Sequence, residues 1–177
     1  MEELIQQIQA KVNKKKVQSL CKKILKKLSF KSVRDLANVN QLASWLYIYG
    51  YYDEAIAVCD ILKDMEFTGN YDLWNRADYA MCLKARILRE RGEMKEREVL
   101  LQRVNEHRHP ELYKNIIDWY RNTLEENIAS DSGIYKGWEL VKLRNAIMYR
   151  EAGGFPIPDE EFENDISRMI SILENTK

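Results

Sequence analysis

At 177 residues the chain is long enough to bury one core, and its 45% apolar and 32% charged content is that of a globular protein with much surface. Its 28 Lys/Arg balance 28 Asp/Glu, which excludes a global field drawing it to nucleic acid or membrane. Only seven Gly and three Pro stand among abundant helix formers, a composition that points to an all-α fold.

Over residues 1–31, Leu4, Ile5, Ile8 and Val12, then Val17, Leu20, Cys21, Ile24, Leu25 and Leu28, follow the three–four spacing of a basic amphipathic helix. The phase slips near Asn13–Lys16, where that helix should bend. Ser32-Val-Arg-Asp35 resembles a capping box and starts a helix to Tyr49, which Gly50 ends. Asp53 then caps a helix reaching about Glu66, and Thr68–Asp72 is turn chemistry. Further helices are expected over Leu73–Arg91, stopped by Gly92, over Glu93–His107 and over Pro110–Ile128. Ala129–Gly133 is the most loop-like segment, and helices over Tyr135–Ala152 and Asp159–Glu174 flank the Gly153–Pro158 connection. No stretch alternates with period two for long enough to be a strand. Such helices should pack as consecutive antiparallel pairs within one domain over 1–177, because a lone hairpin cannot bury its apolar face.

Charge is unevenly spread. Ten Lys/Arg and no acid lie between Lys11 and Arg34, whereas Asp159–Lys177 carries six acids against two bases. Cys21, Cys59 and Cys82 are odd in number, widely spaced and set in apolar runs, so they read as small core residues. Glu2 and Glu3 follow Met1 with no apolar core behind them, and no run is long enough to span a bilayer. Cytoplasmic residence is the expectation.

Residues 50–56, GYYDEAI, closely resemble the turn and second-helix start of a tetratricopeptide repeat. Leu42 and Ala43 stand where that family places its large and small packing pair, and Ala55 is the small residue that lets the second helix nest. A looser copy runs from Asp78 to Leu101 around Gly92, with Ala85 and Leu88 in place but Arg97 where a small residue belongs. Ala146–Gly153 keeps only a first helix and its glycine. Gly50 and Gly92 are 42 residues apart, against the usual period of about 34, so longer helices or an extended loop must absorb the difference. The resemblance covers about half the chain. It implies antiparallel hairpins stacked as a short right-handed TPR-like α-solenoid, with two hairpins over 32–107 and further helices over 110–177.

In that family the first helix of each pair lines a concave groove. Carried onto this chain, the groove-facing residues are Asn40, Gln41, Ser44 and Tyr47, then Tyr79, Cys82, Arg86 and Arg89, then Arg144, Ile147 and Arg150. The arginines suit forked hydrogen bonds to carboxylate or phosphate groups, and Tyr47 and Tyr79 offer rigid contact area. The bland alternative is that these arginines solvate helix faces and pair with Glu90, Glu93 and Glu151. The family's clamp for a C-terminal carboxylate uses lysines that are missing here, so chaperone-tail binding is not expected.

Other chemistry finds little support in the residues. The Lys11–Arg34 strip lacks Trp anchors and aromatic interleaving, so it reads as a solvated face, with neither membrane nor nucleic acid as partner. His107 and His109 diverge around Pro110, and no third strong ligand is near, so no metal is expected. No phosphate-cradling, dinucleotide or zinc-hydrolase motif occurs, and Glu125–Glu126 and Glu160–Glu161 are adjacent and diverge on a helix. Trp45 and Trp119 belong on apolar faces, whereas Trp74 and Trp138 follow loops and are candidates for partner contact.

These readings favour a non-enzymatic adaptor without cofactor, binding a protein or peptide, acidic in character, through its concave face. A bacterial immunity- or antitoxin-like protein neutralising one toxin is a narrower version. A helical enzyme or ligand sensor with an Arg/carboxylate cavity is the alternative from another class. The basic strip and acidic C-terminal helix also leave room for a homodimer.

Overall fold

The computed structural model describes residues 1–30, 32–107, 120 and 138–175, and among them every regular element is helical. The helices are α1 (Glu2–Lys11), α2 (Lys15–Leu25), α3 (Val33–Ile48), α4 (Tyr52–Cys59), α5 (Tyr71–Glu90), α6 (Met94–Glu106), α7 (Trp138–Ala152) and α8 (Asp159–Asn175). The expected helix over 110–128, the loop over 129–133, His109 and Trp119 lie outside the described residues, as does the side chain of Trp138.

At the N-terminus two helices replace the single one expected. Val12 and Lys14 adopt extended backbone, and the carbonyls freed at Gln9 and Val12 accept from the Gln18 side chain, the latter at 2.6 Å. Tyr51 fixes the break, its hydroxyl donating to Asn13 Oδ1 at 2.6 Å. Ser32 caps α3 by accepting from the Asp35 amide. The reciprocal half of a capping box is absent because the Asp35 carboxylate accepts from Ser29 Oγ instead.

Gly50 and Gly92 close their helices in the same way. Each has φ +76°, a left-handed conformation that costs other L-residues energy. Gly50 N–H donates to Tyr47 C=O and Tyr51 N–H to Leu46 C=O; Gly92 N–H donates to Arg89 C=O and Glu93 N–H to Leu88 C=O, all at 2.9–3.1 Å. These paired bonds satisfy the last carbonyls of α3 and α5 and fold the chain back at once. Ala43 and Ala55 are fully buried in one cluster where α3 packs on α4.

Helix α4 stops at Cys59, short of the expected Glu66. The chain tightens there into i→i+3 bonds, such as Leu62 N–H to Cys59 C=O, and the Lys63 and Met65 carbonyls accept from the Arg103 guanidinium of α6. Helix α5 starts two residues earlier than expected, because the Asn70 side chain caps the amides of Asp72 and Leu73.

Neighbouring helices pack as the pairs α3/α4, α5/α6 and α7/α8, and α5 also lies against α3 and α7. The main core joins α1–α5, α7 and α8; a second one, built on Trp74, Met81, Leu100 and Val104, lies between α5 and α6. Helix α5 serves both, so nearly all of it from Tyr79 to Leu88 is buried. Trp45 is in the core as expected, and Cys21, Cys59 and Cys82 are buried and unbridged. Trp74 is not exposed: the Phe67 and His107 rings pack against it and leave it 2% accessible.

A Cβ at Gly50 meets nothing within 4 Å, so Gly50→Ala should cost only its backbone strain, about 1–2 kcal/mol, and Gly50→Asn less. Urea unfolding checks this, with the two midpoints falling in that order and helicity unchanged.

Candidate functional site

Spacings of three and four place the expected groove residues on α3, α5 and α7, and the structure sorts them into groups that differ in charge balance. Asn40, Ser44, Tyr47, Tyr79 and Arg86 are all buried, so they line no open groove. Cys82 faces the second core and Ile147 the main one. Gln41 is turned toward α2, beside Leu20, Lys23 and Ile24.

The first group is an ion cluster where α5, α6, α7 and α8 meet. Arg86 grips Glu163 with both terminal nitrogens, at 3.1 and 2.8 Å, and donates from Nε to the Tyr47 hydroxyl at 2.7 Å. Arg89 Nη2 bridges Glu151 and Glu163, each at 2.9 Å. Arg97 donates to the other Glu151 oxygen at 3.3 Å. Arg150 Nε lies 3.0 Å from Glu163, and its Nη1 lies 3.5 Å from Asp159. Glu90 completes the set, 3.4 Å from Arg86 Nε. Four guanidiniums thus face four carboxylates.

Burial decides the energetics. The Glu151 side chain has 0% exposure, a position tolerable for a carboxylate only with several cations around it. Burial alone would lower the Arg86 pKa, but Glu163 and Tyr47 outweigh it and raise it. Burial would likewise raise that of Glu163, but Arg86 and Arg89 outweigh it and hold the carboxyl at about 2. For Tyr47, burial prevails and pushes the phenol up to about 12.

Sequence reasoning singled out Tyr47, Arg86, Arg89 and Arg150, and named Glu90 and Glu151 as the plainer partners. Glu163 escaped it, being 77 residues from Arg86; the only signal was the acidic composition of the last helix. Arg97 had a visible signal, as the misfit in the second hairpin. Its long side chain is what reaches Glu151.

A second group lies at the other end of the same face. Ser44 donates to the Asn40 carbonyl at 2.6 Å, which leaves the Tyr79 hydroxyl as donor to Ser44 at 2.8 Å. Burial pushes the Tyr79 phenol above its usual range. Asn40 Nδ2 donates to the Arg76 carbonyl at 2.9 Å, and the Arg144 guanidinium sits 6.0 Å from the Tyr79 ring.

On the far side of α5, an open cleft of about 790 Å³ runs between the α4–α5 connection and α6. Phe67, Trp74, Leu100 and the ring of His107 line it, and Lys63, Glu66, Glu96, Arg103 and Glu106 rim it. Val99, also lining it, is 69% exposed. His107 stacks on Phe67 at 4.6 Å. Lys84 is held between Asp60 and Glu96 at 2.8 and 2.7 Å. Among the described residues no group of three His, Cys, Asp or Glu is placed to hold a metal ion, and no helix is long and apolar enough to cross a membrane.

A family model described as a family of unknown function, DUF6707, matches residues 1–115. The chain belongs to the DUF6707 family. The DUF6707 match takes in α1 to α6 whole and ends before α7 and α8. Tyr47, Arg86, Arg89 and Arg97 therefore belong to the DUF6707 segment, whereas Glu151 and Glu163 lie beyond it. No curated protein and no solved structure matches the chain.

Removing the Glu151 charge strands Arg97 and leaves Arg86 and Arg89 to share Glu163, so Glu151→Gln should cost about 3–5 kcal/mol in urea unfolding. Glu163 titrates lower in the folded state than its ordinary 4.5, so its contribution is whole above pH 4.5 and is lost as pH falls toward 2. Glu163→Gln should flatten that acid limb in thermal melts recorded from pH 5 to pH 2, and an unchanged limb would contradict the pairing.

Proposed function

We propose that this protein is a non-enzymatic, cytoplasmic adaptor of tetratricopeptide-like build, and that it binds a protein or peptide segment in the cleft along α6. The pairing of α3/α4, α5/α6 and α7/α8, with α5 against both α3 and α7, supports a short right-handed solenoid of hairpins. The arginine face suits a partner less well than its residue types suggest. Arg86 and Arg89 are already matched by Glu151 and Glu163, and an acidic partner would have to displace α8 to reach them.

The observation that carries the reading is the cleft itself. It is open, floored by aromatic and aliphatic side chains and rimmed by both signs of charge, and Val99 stands out in it with no burial to explain its type. Such a surface fits an amphipathic segment that lays apolar anchors on Phe67 and Leu100 and polar groups on the rim. Lys84, Asp60 and Glu96 satisfy one another, so they brace the cleft wall and leave the other rim charges, such as Glu66 and Glu106, to set register.

Val99→Arg tests this without touching the core. Captured from its native cells, the wild-type chain should bring down a defined protein that Val99→Arg loses at least roughly tenfold. Gln6→Arg, which adds the same charge on exposed α1, should keep it. Identical recoveries from both variants, with helicity unchanged, would overturn the assignment of the cleft.

A further inference from the structure

Among the described residues the buried and half-buried arginines are matched, with two exceptions. Arg86, Arg89, Arg97 and Arg150 share carboxylates, and Arg103 is taken by two carbonyls. Arg76 on α5 and Arg144 on α7 are not. Among the described residues neither forms an ion pair or donates a hydrogen bond, and the Nε of each is buried without a partner. They lie together in a small cavity of about 40 Å³ at the junction of α3, α5 and α7, where the amides of Asn40, Asn75 and Asn145 and the ring of Tyr79 complete the polar wall. No acid lines it.

We propose that this cavity is a binding site for one phosphate group. Two adjacent guanidiniums offer charge and fixed forks of N–H donors, the geometry that suits phosphate oxygens. A dianion neutralises both at once, whereas a carboxylate would leave one charge uncompensated. The volume agrees: at roughly 10–15 Å³ of such space per water, it holds about three waters, enough for a phosphate and too little for a nucleoside with it. Asn40 adds an independent sign. It is 1% exposed and its Oδ1 has no donor, an acceptor that the P–OH of hydrogen phosphate, or a water held with it, satisfies. Burial lowers the Arg144 pKa, Tyr79 opposes this, and the charge of Arg76 adds to it. Holding these two cations together is therefore a cost that an anion relieves.

The site is separate from the α6 cleft and does not rest on the adaptor reading. Inorganic phosphate is the first probe, in thermal melts at matched ionic strength against chloride and acetate. Wild-type protein should show a saturable rise in Tm of several degrees with phosphate alone. Arg144→Gln and Arg76→Gln should each abolish it and, by removing an uncompensated charge, raise Tm in phosphate-free buffer. Arg97→Gln, which breaks a matched arginine, should lower basal Tm yet keep the phosphate response, and so should Val99→Arg keep it. O-phosphoserine binding tighter than inorganic phosphate would make a phosphorylated ligand the source, and the reverse would make it free phosphate. Equal rises with acetate, a response that survives in Arg144→Gln, or no response in the wild type would each overturn the proposal.

Discussion

A carboxylate without solvent has to be surrounded by cations, and the rest of this structure is arranged around that demand at Glu151. Its oxygens take Arg89 and Arg97 as donors, with Arg86 3.5 Å away. Those three arginines come from α5 and α6, while Glu151 is on α7, and Glu163 on α8 shares two of them. One buried anion therefore fixes the register of the C-terminal pair of helices against the preceding one. Apolar packing is non-directional and tolerates sliding; forked hydrogen bonds do not. The hydrophobic clusters hold the helices together, and the ion cluster sets where they stop.

The same arrangement divides the arginine-bearing face. Toward the α7–α8 turn the cations are compensated within the chain, and toward Asn40 and Tyr79 no carboxylate among the described residues compensates them. A surface whose charges are matched internally is a structural joint, whatever its residue types, whereas unmatched buried charge must be met by something else. The family match sharpens the contrast. Arg86, Arg89 and Arg97 lie within the matched segment, and the Glu151 and Glu163 carboxylates that satisfy them lie outside it.

Much of the helical layout was legible in the sequence, because caps and corners are local. Ser32, Gly50 and Gly92 act within four residues of themselves, and their roles followed from type and spacing. The end of α4 did not, because it depends on Arg103 reaching back 40 residues to a carbonyl. The split of α1 from α2 showed only as a slip of phase; what fixes it is Tyr51, 38 residues away. For the candidate site, helical spacing was enough to put Tyr47, Arg86, Arg89 and Arg150 on one face. It says nothing of what covers that face. Long-range partners such as Glu163, and the lack among the described residues of any ion pair to the Arg76 guanidinium, are properties of the packed molecule. Trp74 shows the limit most plainly: following a loop suggested exposure, yet the connection folds back and lays Phe67 on it.

Amide hydrogen exchange along α8 is the most direct test of a C-terminal helix seated on the arginine face. If the ion cluster locks it there, the amides of 162–173 should open with the same free energy as those of α3 and α5, as one cooperative unit. Exchange of α8 near the unprotected rate, while α3 and α5 stay protected, would contradict the account and leave the arginines facing solvent.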